Sequence, residues 1–140
     1  MTYEITKVEL FGQNRDGDQI SATVASSAKI TKGTLLVLSD PRTVAANTSG
    51  LAHPIFGISS EEKDYDFSTR MTAWNSGVFE AYASGTITVN NPVCTTYVDI
   101  NKLQSAIGVA AASHAAIVGY ALETASDGEK FTFIRKGVGA

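Results

Sequence analysis

Residues 67–83 read Phe-Ser-Thr-Arg-Met-Thr-Ala-Trp-Asn-Ser-Gly-Val-Phe-Glu-Ala-Tyr-Ala, and this stretch decides the fold class. On both sides of Asn75-Ser76-Gly77, the side chains alternate between larger apolar or small residues and polar ones. Successive side chains of a strand point to opposite faces, so this alternation is typical of half-buried strands. The shared faces comprise Phe67, Thr69, Met71 and Ala73 before the turn, and Phe79, Ala81 and Ala83 after it. The pattern predicts two strands joined by a tight hairpin at residues 75–77.

Short β-rich pieces separated by turn signals continue along the rest of the chain. Phe131 and Phe133 alternate with Thr132 and Ile134, and turn residues such as Ser126-Asp127-Gly128 recur at similar spacing. This spacing predicts a mainly β fold: a compact barrel or a two-sheet sandwich of short strands, with at most one or two short helices. Residues 60–63 are expected to form one helical turn, and residues 102–109 a strand. An alanine-rich turn around Ser113 and His114 follows.

Length and charge limit the classes of function that remain open. The chain has 140 residues, which corresponds to one domain, and we divide it into an N-terminal arm and turn at 1–18 and a β-rich domain at 19–140. Its net charge is −3; no basic face can be inferred from that total, so no nucleic-acid partner is expected. No apolar run reaches the ~18 residues of a membrane span and no secretory signal opens the chain, so no membrane partner is expected.

Residues that could carry catalysis or hold a metal are few and scattered. The single cysteine, Cys94, lies in an apolar strand, as a small core residue does. Because the chain has one cysteine, it can form neither an internal disulfide nor a cysteine-built zinc site. His53 and His114 are far apart in sequence, and neither has metal-ligand spacing to another candidate ligand. The polar run at residues 14–18 fails as a calcium loop, because Gly12 and Thr23 fall where ligands are needed. We therefore expect no catalytic residues, no metal and no cofactor.

Two further polar or aromatic features have simpler structural interpretations. The acidic run of Glu61, Glu62, Asp64 and Asp66 is more typical of a solvated edge than of a catalytic carboxylate pair. Trp74 is expected to pack at a strand end. It would act as a sugar-stacking platform only together with Tyr65 or Tyr82.

An ordered series of segments runs through the chain at residues 32–43, 53–63, 75–80, 84–89, 118–126 and 130–135. This series resembles the capsid decoration, or cement, proteins of tailed bacteriophages. The resemblance covers roughly residues 22–136 and depends on the set rather than on any one piece. Gly33 and Gly85 are expected to open strands at turns. Gly57 and Gly119, inside strands, are expected to mark bulges or close backbone approach.

The resemblance implies a non-enzymatic virion protein, made in the host cytoplasm, that binds the outer surface of the assembled head. Its partners would be the major capsid protein and further copies of itself, commonly as a homotrimer. Such proteins clamp neighbouring capsid subunits together. Decoration proteins of similar type also use an N-terminal arm in contacts.

The N-terminal segment is the candidate capsid or inter-subunit contact. It has strong strand propensity and contains no breaker before Gly12. An unpaired strand of this kind can add to an exposed sheet edge. The predicted contact residues are Thr2, Tyr3, Glu4, Ile5, Thr6, Lys7 and Val8. The alternative is that residues 2–11 form the first strand of the protein's own sheet.

Two other classes of function stay open at this point. One is a carbohydrate- or host-surface-binding β module of the virion, such as a head-fibre base, which would need an exposed aromatic platform. The other is a small hydrolase centred on Cys94 or on the acidic run at residues 61–66. It would need a pocket that brings those groups together with His53 or His114.

Overall fold

The computed structural model describes residues 4–8, 19–26, 28–47, 55–64, 69–96, 101–107 and 117–135. Within these ranges the chain forms thirteen β-strands and no helix. The strands are β1 (Thr6–Val8), β2 (Gln19–Val24), β3 (Lys29–Ile30), β4 (Leu35–Asp40), β5 (Thr43–Ala46), β6 (Gly57–Ser59), β7 (Lys63–Asp64), β8 (Arg70–Trp74), β9 (Gly77–Tyr82), β10 (Pro92–Thr95), β11 (Leu103–Ser105), β12 (Ile117–Ala121) and β13 (Lys130–Arg135). The prediction of a mainly β fold of short strands is confirmed.

The strands are arranged in two main sheets. The first is open and has the order β1-β9-β13-β12-β10-β11. In the second, β2, β5, β4, β6 and β8 pair in a ring that closes as a small barrel. All these pairings are antiparallel except the one between β2 and β5, which is parallel. A two-stranded sheet of β3 and β7 completes the described part of the chain.

Two hydrophobic clusters form the core, and β4 contributes to both. Leu35 and Val37 belong to the larger cluster, together with the phenylalanines of the open sheet. Leu36, between them in sequence, belongs to the smaller cluster, which is built from barrel strands. Because adjacent side chains of a strand point to opposite faces, the barrel wall at β4 is buried on both sides. The larger cluster therefore joins the barrel to the open sheet. In it, the Phe79 and Phe133 rings stack with centroids 5.7 Å apart.

The hairpin predicted at residues 75–77 is wrong, although the alternation of faces around it is confirmed. β8 pairs with β2 and β6, whereas β9 pairs with β1 and β13. Residues 75–77 therefore carry the chain from the barrel to the open sheet. Both edges of each strand are already occupied, so β8 and β9 have no edge left for each other. The buried side chains are Met71, Ala73, Phe79, Ala81 and Ala83, as the alternation predicted.

Two other local predictions are corrected. Residues 60–63 do not form a helical turn: Ser60 and Glu61 bend the chain, and β7 begins at Lys63, opposite Ile30 of β3. Strand pairing and burial of Lys63 override the local capping pattern. The strand predicted at 102–109 is shorter, since β11 ends at Ser105. Ser113 and His114 lie outside the described residues.

The glycine predictions are confirmed except at Gly85. Gly33 and Gly85 both have positive φ. Gly33 lies in the turn before β4, whereas Gly85 opens no strand, because only an isolated bridge at Ile87 follows it before β10. A Cβ on Gly119 would lie 2.2 Å from the Ile134 carbonyl oxygen, and one on Gly57 would lie 2.7 Å from that of Trp74. β12 and β6 can therefore approach their neighbours only because these positions lack a side chain.

Candidate functional site

The structure places the described part of the N-terminal segment in the protein's own open sheet. Ile5 is buried, and its amide donates to the Gly33 carbonyl at 3.0 Å. Thr6, Lys7 and Val8 form β1, the edge strand that pairs with β9. Glu4 is exposed, and Thr2 and Tyr3 lie outside the described residues. Thr6 to Val8 thus form a strand of the protein's own sheet, as in the alternative interpretation, while a capsid or inter-subunit contact through the segment stays a prediction.

The outer face of the open sheet carries an apolar row that crosses four strands. The strand register aligns Val78 of β9, Ile134 of β13, Tyr120 of β12 and Pro92 of β10. Tyr120 is 48% exposed, and Leu122, just beyond β12, is 40% exposed. We call Val78, Ile134, Tyr120 and Pro92 the outer stripe. It leaves apolar side chains in water on an isolated protomer, as interaction surfaces often do.

Cys94 has the environment of a core residue. It is fully buried in β10, and desolvation raises the pKa of its thiol, although a hydrogen bond with Gln104 acts in the opposite direction. A raised pKa keeps the sulfur protonated, and the thiol is a far weaker nucleophile than the thiolate. His53 and His114, the bases considered for it, both lie outside the described residues.

The acidic run is interrupted by a buried lysine. Glu61 and Glu62 are exposed, whereas Lys63 is only 2% exposed and its Nζ donates to the Ser26 carbonyl at 3.1 Å. Asp66 lies outside the described ranges. Among the residues that the structure describes, no group of three or more His, Cys, Asp or Glu side chains is placed to hold a metal ion.

Trp74 and Tyr82, two of the aromatic residues considered for a sugar platform, have different surroundings. Trp74 is partly buried and packs against the larger core cluster. Tyr82 points the other way from the buried Ala81 of β9, and Lys130 Nζ lies 5.4 Å from its ring centroid. Tyr65 lies outside the described residues. The prediction that Trp74 packs at a strand end is confirmed, since it is the last residue of β8.

A groove beside β2 is the concave site that sequence reasoning missed. It has a volume of about 550 Å³ and is open to solvent. Its described lining residues are Ile20, Ser21, Ala22, Thr23, Arg42, Phe56, Thr69 and Arg70. We call this the β2 groove. Arg42 and Arg70 are far apart in sequence and belong to no local motif, so only the strand pairing could have brought them to one site.

The strand pairing around Thr23 explains why the two arginines meet there. Thr23 lies opposite Arg70 of β8 on one side and beside Thr43 of β5 on the other. Its amide donates to the Arg42 carbonyl at 2.8 Å. Both arginine side chains are exposed. The arginines therefore flank the groove at its Thr23 end.

A third arginine, Arg135 at the end of β13, has a structural environment. It is 5% exposed, and its guanidinium donates to the carbonyls of Val118 at 3.0 Å and Ile55 at 2.9 Å. Its Nε atom is buried without a hydrogen-bond partner. Burial lowers the pKa of the guanidinium, because desolvation disfavours the charged form. Arg135 links the open sheet to the segment that leads into β6.

Comparison with known proteins gives a likeness of fold. No family model and no curated protein sequence matches this chain. Among solved structures, the chain is similar to the head fiber gp8.5 N base of bacteriophage phi29, with a TM-score of 0.53 and 15% sequence identity, covering 85% of this chain and 93% of that one. At this identity the shared property is the fold. Within the described residues, no helix is long and apolar enough to cross a membrane.

Proposed function

We propose that the protein is a non-enzymatic structural component of a tailed-phage head. In this proposal it binds the outer surface of the assembled capsid as a trimer and stabilises the shell. The observation that carries the proposal is the fold shared with a phage head fiber base over 85% of the chain. The ordered segments that resemble decoration proteins support the same role. Its partners are the major capsid protein and further copies of itself, and it takes no cofactor.

The physical mechanism needs weak contacts repeated by symmetry rather than a strong single site. A trimer that has made one contact with the shell makes the next contacts intramolecularly, so its avidity exceeds the affinity of one protomer. A protein that binds only the assembled shell also stabilises that state by mass action. Neither effect requires a catalytic group.

Two features support surface association over catalysis. The outer stripe leaves Tyr120 about half exposed on a sheet face, which favours burial against another copy. Cys94, the one thiol, is fully buried and held protonated, which makes a hydrolase centred on it a poor alternative.

The test uses heads purified from the encoding phage after deletion of the gene for this protein. Recombinant protein is mixed with expanded heads and with unexpanded precursors, and both are sedimented through sucrose. We expect saturable binding to expanded heads and a higher temperature of head disruption. If the protein binds neither expanded heads nor unexpanded precursors, the proposal is contradicted. Analytical ultracentrifugation of the free protein tests the trimer separately.

A head-fibre base that also binds the host surface is a second candidate. The specific observation in its favour is that the solved structure with the similar fold is itself a head fiber base. Sedimentation of the protein with host cell envelopes distinguishes the two roles. Binding to envelopes with no binding to heads would favour this candidate over a capsid-stabilising protein.

A further inference from the structure

Among the described residues, one edge of β2 is unpaired along the first half of the strand, although the barrel closes at its second half; we call this stretch the open edge. β2 pairs with β8 along residues 19–23, but with the parallel strand β5 only at Thr23 and Val24. β5 begins at Thr43, where the chain has just turned back from β4. The half of β2 from Gln19 to Ala22 therefore has a described neighbour on its β8 side alone.

The hydrogen-bond alternation shows which backbone groups line this open edge. The Val24 amide points to β8 and donates to the Thr69 carbonyl, while the Thr23 amide points the other way and donates to Arg42. In an antiparallel pair these directions alternate along the strand. The amide and carbonyl of Ser21 therefore point away from β8, into the β2 groove. Such a backbone edge is a template for another extended segment.

The side chains of the β2 groove define the chemistry of a partner. Among the described residues that line it, the two charged ones are Arg42 and Arg70, and both are exposed. Phe56 and Ile20 add apolar surface to the lining of the groove. Arginine binds carboxylates through paired, charge-assisted hydrogen bonds. An extended segment that alternates acidic and apolar residues can present each kind to one face.

We propose that the β2 groove binds an extended acidic segment of the major capsid protein, which adds to β2 as a new strand. Ser21 supplies the backbone hydrogen bonds, and Arg42 and Arg70 bind carboxylates of the added segment. The open edge spans four residues, or about 13 Å, so each groove contributes a weak contact that a trimer multiplies. This inference rests on the proposed function, because it names the capsid as the source of the segment.

Hydrogen exchange on heads tests the added strand directly. The protein is bound to heads that lack it, and exchange is followed by mass spectrometry with residue-level fragmentation. We expect exchange at the Ser21 amide to slow by roughly tenfold or more on binding. The Val24 amide is the internal control, since it already donates to Thr69 in the free protein at 2.9 Å.

Matched variants test the charges and the edge. Arg42→Gln with Arg70→Gln is expected to weaken head binding roughly tenfold or more, since charge-assisted hydrogen bonds are lost. Lys32→Gln with Lys130→Gln removes the same charge from exposed residues outside the groove and should leave binding nearly unchanged. Ser21→Pro removes the outward amide, which an edge position tolerates, and should also weaken binding.

The outcomes separate this inference from the function on which it rests. If the wild type binds heads while Ser21 exchange is unchanged, strand addition is overturned and the proposed function stands. Loss of binding in the arginine variant without Ser21 protection would mean a side-chain contact alone, which also overturns it. If the wild type binds no heads, both proposals are wrong.

Discussion

The guanidinium of Arg135, at the end of β13, donates to the Ile55 carbonyl at 2.9 Å, although 80 residues separate them in sequence. Nη1 of the same guanidinium donates to the Val118 carbonyl in β12 at 3.0 Å. One buried cation thus joins two strands of the open sheet to the segment before β6. Hydrogen bonds from charged groups are stronger than neutral ones, and buried acceptors left without a donor are costly.

Replacing this arginine should therefore destabilise the protein. Arg135→Met leaves the carbonyls of Val118 and Ile55 without donors, and we expect the free energy of unfolding in urea to fall by about 3 kcal/mol. The matched control is Lys130→Met on the same strand, whose side chain is exposed and pairs with Glu80 at 3.7 Å. The control should cost less than about 1 kcal/mol. Equal stability of Arg135→Met and the wild type would show that Arg135 does not hold the sheets together.

The contact between β12 and β13 at Gly119 leaves no room for a methyl group. A Cβ there would lie 2.2 Å from the Ile134 carbonyl oxygen, which is backbone and cannot rotate away. Gly119→Ala should lower the free energy of unfolding by at least about 3 kcal/mol, or prevent folding. Gly85→Ala is the control: it has open space but positive φ, so about 1–2 kcal/mol is expected. Thermal unfolding of both variants measures the order, and the reverse order would contradict the packing described.

The burial of Ile5, just before β1, anchors the N-terminal segment to the core. Ile5 is 4% exposed in the larger cluster. Ile5→Ala should lower the free energy of unfolding by about 3 kcal/mol, because it leaves a cavity. Thr6→Ala, at the exposed neighbouring position, should change it by less than about 0.5 kcal/mol. Urea titration followed by tryptophan fluorescence measures both.

Deletion of residues 2–11 tests the predicted contact role of the N-terminal segment. The loss of Ile5 and β1 removes core surface and the pairing with β9, so we expect a strongly destabilised protein. Circular dichroism and head sedimentation are measured on the same preparation. A truncated protein that keeps its wild-type stability but no longer binds heads would instead make the segment a contact and not a structural strand.

The thiol of Cys94 should be unreactive in the native protein. Its burial predicts no reaction with a thiol-specific disulfide reagent near neutral pH, and one equivalent of reaction after denaturation. Fast reaction of the native protein would contradict the burial described.

The same group should make stability depend on alkaline pH. The pKa of the thiol is raised in the folded state. The contribution of the thiol to the free energy of unfolding is therefore complete below the ordinary thiol pKa, and it is lost as the pH rises through the pKa of the folded state. From about pH 8.5 upward, the wild type should lose more stability than Cys94→Ala. Parallel pH slopes for the two proteins would contradict this prediction.

Sequence patterns predicted which side chains of a strand are buried, but not which strands pair with one another. The buried positions of β8, β9 and β13 follow from alternation, because a strand's two faces are a local property. The hairpin at residues 75–77 failed because pairing depends on which edges distant strands have already occupied. Lys63 shows the same limit: the local capping pattern predicted a helical turn at residues 60–63, yet Lys63 pairs with β3 and is buried, with its Nζ donating to the Ser26 carbonyl.

The candidate site was less predictable than the fold. Ser21, Arg42 and Arg70 carry no motif, and they meet only because a parallel strand begins beside Thr23. No periodicity in the chain encodes where β5 starts along β2. The outer stripe is likewise a property of register across four strands, with one residue contributed by each.

Glu80 in the middle of β9 lies opposite Thr6 on one side and Thr132 on the other. The first and last described strands, β1 and β13, therefore pair with the two edges of β9. During synthesis β1 is available early, but β13 emerges roughly fifty residues after β9. At the usual 5–20 residues per second, β9 waits several seconds with one edge unpaired. β13 therefore joins the open sheet late, and slowing elongation after Tyr82 should lower the yield of native protein by exposing the edge of β9 to other nascent chains.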